Sequence, residues 1–215
     1  MESCPEPILP REDSVPAFAD MRGAQRFALL ISAAKLVCDS GEFLCVVRDV
    51  SATGLRLKLF HPLPPGDRMA VELANGEFYL VEKVWERDGF AGFRFAAAID
   101  VRDFIDEPSR WPRRPIRVKI AIPAVLRVDG TVLSARIADL SQHGARIVCD
   151  HHLAVEQRVK LEAAGLPPLH ANICWRSRPT YGLVFQQRFT LDQLALLTAS
   201  LQLAPPVHPP QVASG

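Results

Sequence analysis

The chain has 215 residues, enough for one large domain or two small ones. Its 48% hydrophobic and 23% charged residues are typical of globular proteins and exclude a largely disordered chain. Its apolar runs are far shorter than the roughly 20 residues of a membrane-spanning helix, and no signal-peptide pattern opens the chain. The five cysteines include no C-x-x-C pair. We therefore expect a reduced, cytoplasmic protein without a zinc ribbon or other metal site.

Charge is distributed unevenly along the chain, although the net charge is only +1. Residues 1–19 carry a net charge of −3 and residues 20–106 a net charge of −2, whereas residues 107–204 contain 13 basic and 7 acidic residues. A basic second half favours an anionic ligand. The excess is too small to indicate binding of a nucleic acid polymer, for which a strongly basic domain is typical.

A motif in the first half of the chain recurs in the second half. Asp49-Val-Ser51-Ala-Thr-Gly54 is repeated 90 residues later as Asp139-Leu-Ser141-Gln-His-Gly144. The same offset relates Leu63 to Leu153, Trp85 to Trp175, Gly92 to Gly182 and Phe95 to Phe185. Such self-similarity indicates two copies of one module. We expect a flexible segment over 1–19, modules over 20–106 and 107–204, and a flexible Pro-rich tail over 205–215.

The sequence predicts short strands in both copies and one helix, which lies near the end of copy two. Short apolar or alternating runs separated by turn residues are typical of a small antiparallel barrel or sandwich. Asn75-Gly76 predicts a hairpin, Thr190-x-x-Gln193 predicts a helix start, and we expect Trp85 and Trp175 to fill the barrel cores. The predicted strands are 43–47, 55–59, 68–73, 77–85 and 92–95 in copy one, with 132–137 and 145–148 in copy two; the helix follows Thr190, and 101–105 forms a short junction.

Two arginines spaced four apart precede the first strand of each copy. Arg22 and Arg26 match Arg113 and Arg117 at an offset of 91, so one residue was gained or lost downstream, and we place that change near 32–34. Guanidinium groups can hold a phosphate or the O6/N7 edge of guanine in a bidentate manner. In copy two, Arg110 and Arg114 are also spaced four apart. The Arg110/Arg114 register therefore remains an alternative to Arg113/Arg117. In both registers Arg114 can help to hold a phosphate.

The D-x-S-x-x-G turn supplies groups that complement guanine. An ionised Asp accepts hydrogen bonds, as the N1–H and N2–H₂ donors of guanine require, and the Ser hydroxyl can donate or accept. The Gly can adopt a positive φ and leaves the site free of a side chain. Taken alone, an arginine pair at this spacing is more often a solvated surface feature, and a D-x-S-x-x-G turn more often stabilises only its own loop.

The combination of an arginine pair and a D-x-S-x-x-G turn occurs in both copies. In this combination the chain resembles the PilZ family, bacterial receptors for cyclic di-GMP. The resemblance covers about residues 20–104 and 110–204. It implies an all-β protein with a minor helix: two tandem six-stranded antiparallel barrels, the second followed by a C-terminal helix. It further implies that an arginine segment clasps cyclic di-GMP against the barrel. The implied ligand-binding residues are Arg22, Arg26, Asp49, Ser51 and Gly54 in copy one, and Arg113, Arg114, Arg117, Asp139, Ser141 and Gly144 in copy two.

The chain lacks the sequence motifs of common enzyme classes. It contains no G-x-S-x-G, P-loop or G-x-G-x-x-G pattern and no recognisable nucleophile–base pair. We therefore expect a non-enzymatic receptor that binds cyclic di-GMP without a cofactor and relays the signal by conformational change and contact with a downstream protein. The alternatives are a ligand-blind protein–protein adaptor and an oligonucleotide-binding barrel; the low aromatic content of 7% disfavours the latter.

Overall fold

The computed structural model describes residues 27–64, 66, 68–106 and 115–203. This part of the chain contains twelve strands and two helices. The first half comprises β1 (Phe27–Cys38), β2 (Gly41–Val50), β3 (Gly54–Leu59), β4 (Met69–Glu72), β5 (Phe78–Arg87), β6 (Phe90–Phe95) and α1 (Val101–Asp106). The second half comprises β7 (Val118–Val128), β8 (Thr131–Ser141), β9 (Gly144–Val148), β10 (Arg158–Glu162), β11 (Leu169–Ser177), β12 (Thr180–Phe185) and α2 (Leu191–Leu203).

The strands form two closed antiparallel barrels, barrel one and barrel two, with the same strand order. Barrel one closes in the order β1-β2-β3-β6-β5-β4, and barrel two repeats it as β7-β8-β9-β12-β11-β10. The predicted all-β fold with two six-stranded barrels and a C-terminal helix is therefore confirmed. Closure leaves no unpaired edge among the described strands, because the first and fourth strands of each copy also pair.

The length difference between the copies falls in a β-bulge of the first strand. The register of β1 with β2 shifts between Ala28 and Ser32, and that of β7 with β8 shifts between Lys119 and Ile122. The bulge of barrel one thus holds one more residue than that of barrel two. A bulge accommodates an extra residue without disturbing the ladder beyond it. The change therefore lies between Ala28 and Ser32, just upstream of the position near 32–34 that the sequence predicted.

Alternation along the strands fills each barrel. In β3, Leu55, Leu57 and Leu59 point inward and are buried, whereas the intervening side chains are exposed. The hairpin predicted at Asn75-Gly76 joins β4 to β5, with Gly76 at a φ of 90°.

One helix packs against the core of each barrel. Phe104 of α1 is buried against the rings of Tyr79 and Phe95 in barrel one. Helix α2 begins with the predicted capping box, since the Thr190 N–H donates to Gln193 Oε1 at 3.0 Å and the Gln193 N–H donates to Thr190 Oγ1 at 3.4 Å. No helix in the described part of the chain is long and apolar enough to cross a membrane.

Helix α2 also connects the two barrels by packing against β2. The Gln202 side chain forms two hydrogen bonds with the backbone of Glu42, accepting from its N–H at 2.9 Å and donating to its carbonyl at 2.8 Å. A Cβ at Gly41 would lie 2.2 Å from Gln202 Oε1, so glycine permits this close approach. Leu44, which belongs to barrel one by sequence, is buried in the core of barrel two. The barrels therefore share a packed interface.

Candidate functional site

A row of outward-facing residues crosses five strands of barrel two. Strand pairing aligns Trp175 on β11, Gly182 on β12, Arg146 on β9, Asp139 on β8 and Lys119 on β7. The neighbours of Gly182 on β12, Tyr181 and Leu183, are buried in the core. Because side chains alternate along a strand and match across paired positions, the whole row lies on the outer face of the barrel.

Two arginines form ion pairs with the carboxylate of Asp139. The Nη1 of Arg117 donates to Asp139 Oδ1 at 2.8 Å, and the Nε of Arg146 lies 2.6 Å from Asp139 Oδ2. The Asp139 side chain is only 4% exposed, whereas both arginine side chains are 44% exposed. The carboxylate therefore holds two guanidinium groups side by side and leaves part of each accessible to an anion.

Arg146 was not among the residues that the sequence singled out. Arg56 and Arg146 follow Gly54 and Gly144 by two residues and obey the same 90-residue offset as the turn motif. The repeat therefore carried a signal for this second arginine.

The prediction that the two tryptophans fill the barrel cores was wrong. Trp85 is 37% exposed and Trp175 is 39% exposed. A Cβ at Gly182 would lie 2.0 Å from Trp175 Nε1, and one at Gly92 would lie 2.1 Å from Trp85 Nε1. Each indole therefore lies flat over a glycine on the outer wall of its barrel, where it presents an aromatic face to solvent.

The serines of the D-x-S-x-x-G motif stabilise their own turns. Ser141 Oγ donates to the Gly144 carbonyl at 3.1 Å and is buried, and Ser51 Oγ forms the same contact with Gly54 at 3.1 Å. These hydroxyls support the strand end that carries Asp139 or Asp49. The motif serines thus lie beside the site rather than inside it.

The motif glycines are required by a close approach of backbone. Neither Gly54 nor Gly144 has a positive φ. A Cβ at Gly144 would lie 1.9 Å from the carbonyl oxygen of Leu183, and one at Gly54 would lie 2.6 Å from that of Phe93. The expectation of a left-handed conformation was wrong, because the neighbouring strand excludes a side chain here.

The row of barrel two opens onto a groove between the barrels with a volume of about 690 Å³. That volume falls within the range of about 300–1,000 Å³ that is usual for small-molecule sites. Four cationic side chains face two carboxylates in its wall. Its lining residues are Lys35, Glu72, Leu73 and Ala74 from barrel one, with Pro115, Ile116, Arg117, Lys119, Asp139, Arg146 and Trp175 from barrel two.

A charged cluster at the edge of this groove joins the barrels. Glu42 of barrel one accepts a hydrogen bond from the Lys119 N–H at 2.9 Å and pairs with the Lys119 ammonium at 3.2 Å and the Lys35 ammonium at 3.0 Å. Lys35 also pairs with Glu72 at 2.8 Å. Burial alone would raise the pKa of Glu42, but the Lys119 N–H and the Lys35 ammonium outweigh burial and hold that pKa below its ordinary value.

Barrel one contains a matching row with different surroundings. Strand pairing aligns Trp85, Gly92, Arg56, Asp49 and Ala28. The Nε of Arg56 lies 2.7 Å from Asp49 Oδ2, and the Asp49 side chain is 17% exposed. The arginine–aspartate pair is thus common to both barrels, whereas Ala28 stands where barrel two has Lys119.

Four of the predicted ligand-binding arginines lie outside the described residues. These are Arg22, Arg26, Arg113 and Arg114. Arg110, which defines the alternative register, lies outside them as well. Arg117 is described, and its contact with Asp139 brings together the arginine and the aspartate that the sequence predicted as partners in one site.

The fold and the repeated arginine–aspartate site define a tandem-barrel protein with a cationic groove. The sequence matches the PilZ domain over residues 21–105 and again over residues 110–203. The chain therefore belongs to the PilZ family, with two copies of the domain. No curated protein is a significant match to the sequence.

Several solved structures of bacterial proteins are similar to this chain. PlzA of Borreliella burgdorferi, in complex with c-di-GMP, is 12% identical over 79% of this chain and 86% of its own, with a TM-score of 0.32. The MrkH–c-di-GMP complex of K. pneumonia is 11% identical over 80% and 86%, with a TM-score of 0.34. YcgR of Escherichia coli, in complex with c-di-GMP, is 13% identical over 78% and 82%, with a TM-score of 0.29.

Proposed function

We propose that this protein is a receptor for cyclic di-GMP that binds the dinucleotide in the groove beside barrel two. The observation that carries the proposal is the pairing of Arg117 and Arg146 on one buried carboxylate, Asp139, at the wall of that groove. Membership of the PilZ family and the complexes named for PlzA, MrkH and YcgR support the same ligand.

The chemistry of the groove complements a cyclic dinucleotide. The ligand carries two phosphates and two guanines, so a site needs planar cations, hydrogen-bond acceptors and a stacking surface. Arg117 and Arg146 supply guanidinium groups, Lys119 supplies an ammonium, and the indole of Trp175 offers an aromatic face in the same groove. In this proposal Asp139 orients the arginines, while Ser141 and Gly144 fix the turn behind it; Arg113 and Arg114 remain candidate phosphate ligands.

Binding at this position gives the protein a means of relaying the signal. Lys119 lines the groove with a side chain that is 71% exposed, and it pairs with Glu42 of the other barrel. A bound phosphate competes with Glu42 for this ammonium, and the competition weakens the contact between the barrels. The resulting change in their relative pose would alter the surface offered to a downstream protein.

The role so proposed is binding rather than catalysis. We propose that the chain consists of two modules, over 20–106 and 107–204, with terminal segments over 1–19 and 205–215. The proposed role also implies a bacterial, cytoplasmic setting, where this second messenger acts. Under this proposal cyclic di-GMP is a regulatory ligand rather than a cofactor.

Thermal unfolding in the presence of different nucleotides tests the proposal. A ligand that binds only the folded state, at a free concentration of about 100 times its Kd, stabilises that state by about 2.7 kcal/mol. We expect cyclic di-GMP to raise the Tm, whereas GTP, cyclic GMP and a single-stranded oligonucleotide at equal concentration leave it unchanged. The absence of a shift with cyclic di-GMP would favour the ligand-blind adaptor, and a shift with the oligonucleotide would favour nucleic acid binding.

A further inference from the structure

In barrel one, the arginine that pairs with the motif aspartate is also covered by an aromatic ring. The guanidinium carbon of Arg56 lies 5.5 Å from the centroid of Phe90, while its Nε remains paired with Asp49. One face of this guanidinium is thus occupied by a neighbour from its own barrel. A guanine base could stack on that face of Arg56 only after this contact was broken.

The tryptophan of barrel one is covered in the same way. The guanidinium carbon of Arg87 lies 5.3 Å from the centroid of the Trp85 ring. Arg87 pairs directly with Phe90 across β5 and β6, so both covering residues sit at one position of the ladder. Together they stack on the Trp85 ring and the Arg56 guanidinium, which nevertheless stay 37% and 48% exposed, much as Trp175 and Arg146 do at 39% and 44%.

Barrel two carries small polar residues at both of these positions. The 90-residue offset places Ser177 where barrel one has Arg87 and Thr180 where it has Phe90, and these two residues also pair directly. Beside Arg146, a depression of about 470 Å³ is lined by Thr180 together with Lys119 and Arg136. Within the described part of the chain, no arginine or lysine lies over the Trp175 ring.

We infer that this pair of positions determines which barrel binds the dinucleotide. In barrel two, Ser177 and Thr180 bring no ring or guanidinium group against Arg146 and Trp175, whereas in barrel one Arg87 and Phe90 stack on the matching side chains. Barrel one further lacks the ammonium of Lys119, since Ala28 occupies that register position. The inference rests on the proposed function and assigns the ligand to one of two sites that share a motif.

A matched pair of substitutions tests the inference by calorimetric titration of the full chain with cyclic di-GMP. We expect Arg146→Ala to weaken binding roughly tenfold or more, and Arg56→Ala to leave the affinity within about twofold of wild type. An equal loss in both variants, or a loss only in Arg56→Ala, would overturn the inference. Failure of the wild type to bind would instead reject the proposed function itself.

Transplanting the covering ring gives a second test. Thr180→Phe should place a ring beside Arg146, as Phe90 lies beside Arg56, and should weaken binding roughly tenfold. Thr180→Val, which is similar in size to threonine, should have little effect. The Tm of each variant without ligand checks that the barrel is folded. Unchanged affinity in a folded Thr180→Phe variant would contradict the inference.

Discussion

Glu42 of barrel one and Lys119 of barrel two are joined twice, through a backbone hydrogen bond of 2.9 Å and an ion pair of 3.2 Å. Glu42 is 8% exposed, so its charge requires these partners. Lys119 also lies opposite Asp139 in the register of β7 and β8, and Asp139 forms ion pairs with the two groove arginines. The contact between the barrels and the candidate ligand site therefore share one residue.

We expect Glu42→Gln to destabilise the protein by about 1–3 kcal/mol, because a buried carboxylate loses charge-assisted hydrogen bonds. Chemical denaturation at pH 7 measures the change. Glu162→Gln is the control, since Glu162 pairs with Arg127 and Lys160 within barrel two, where it is more exposed. A loss no greater than that of the control would contradict the structural role of Glu42.

The same pair of proteins gives a prediction about pH. Because the folded pKa of Glu42 is lowered, its stabilising contribution is present above the ordinary value of 4.5 and is lost as the pH falls through the folded pKa. The difference in unfolding free energy between wild type and Glu42→Gln should be constant from pH 7 to about pH 5 and shrink at lower pH. A difference that grew on acidification would have the wrong sign for this account.

We expect Trp175→Ala and Trp85→Ala to differ in binding but not in stability. Both indoles lie on the outer wall, so each variant should lose less than the roughly 3–5 kcal/mol that is typical of a core tryptophan. Loss of base stacking should lower the affinity of Trp175→Ala for cyclic di-GMP roughly tenfold, whereas Trp85→Ala binds as wild type. Unfolding curves and calorimetry measure the two effects, and equal affinities would argue against stacking on Trp175.

The motif glycines should tolerate no side chain. Gly144→Ala is expected to destabilise barrel two by about 2 kcal/mol or more, because its Cβ meets the Leu183 carbonyl. Gly54→Ala should cost less, since the corresponding distance to Phe93 is longer. Thermal unfolding compares the variants, and the reverse order would contradict the packing described here.

Much of the fold could be predicted because the chain repeats itself. The recurring turn, the hairpin at Asn75-Gly76 and the capping box at Thr190 are local signals that specify their own geometry. The tryptophans were misassigned because a large aromatic opposite a glycine can cover either wall of a barrel. The pairs Trp85–Gly92 and Trp175–Gly182 share the 90-residue offset, but their orientation depends on the strand register.

The sequence feature that indicates the contact between the barrels is the apolar run of β2. Strand β2 is buried at six consecutive positions from Glu42 to Val47, so both of its faces are covered. In barrel two, the positions matching Glu42 and Leu44 are Val132 and Ser134. An apolar run in only one copy is a sign of an interface, but the identity of its partner depends on distant residues such as Gln202.

Calorimetric titration of wild type and Arg117→Ala with cyclic di-GMP tests the central claim most directly. Arg117 contacts Asp139 in the groove just before β7 begins. Arg127 is an exposed arginine of β7 that pairs with Glu162, and it provides the control Arg127→Ala. We predict saturable binding to wild type and Arg127→Ala, with affinity reduced roughly tenfold or more in Arg117→Ala. Equal binding by all three proteins, or no binding by wild type, would contradict a receptor site in this groove.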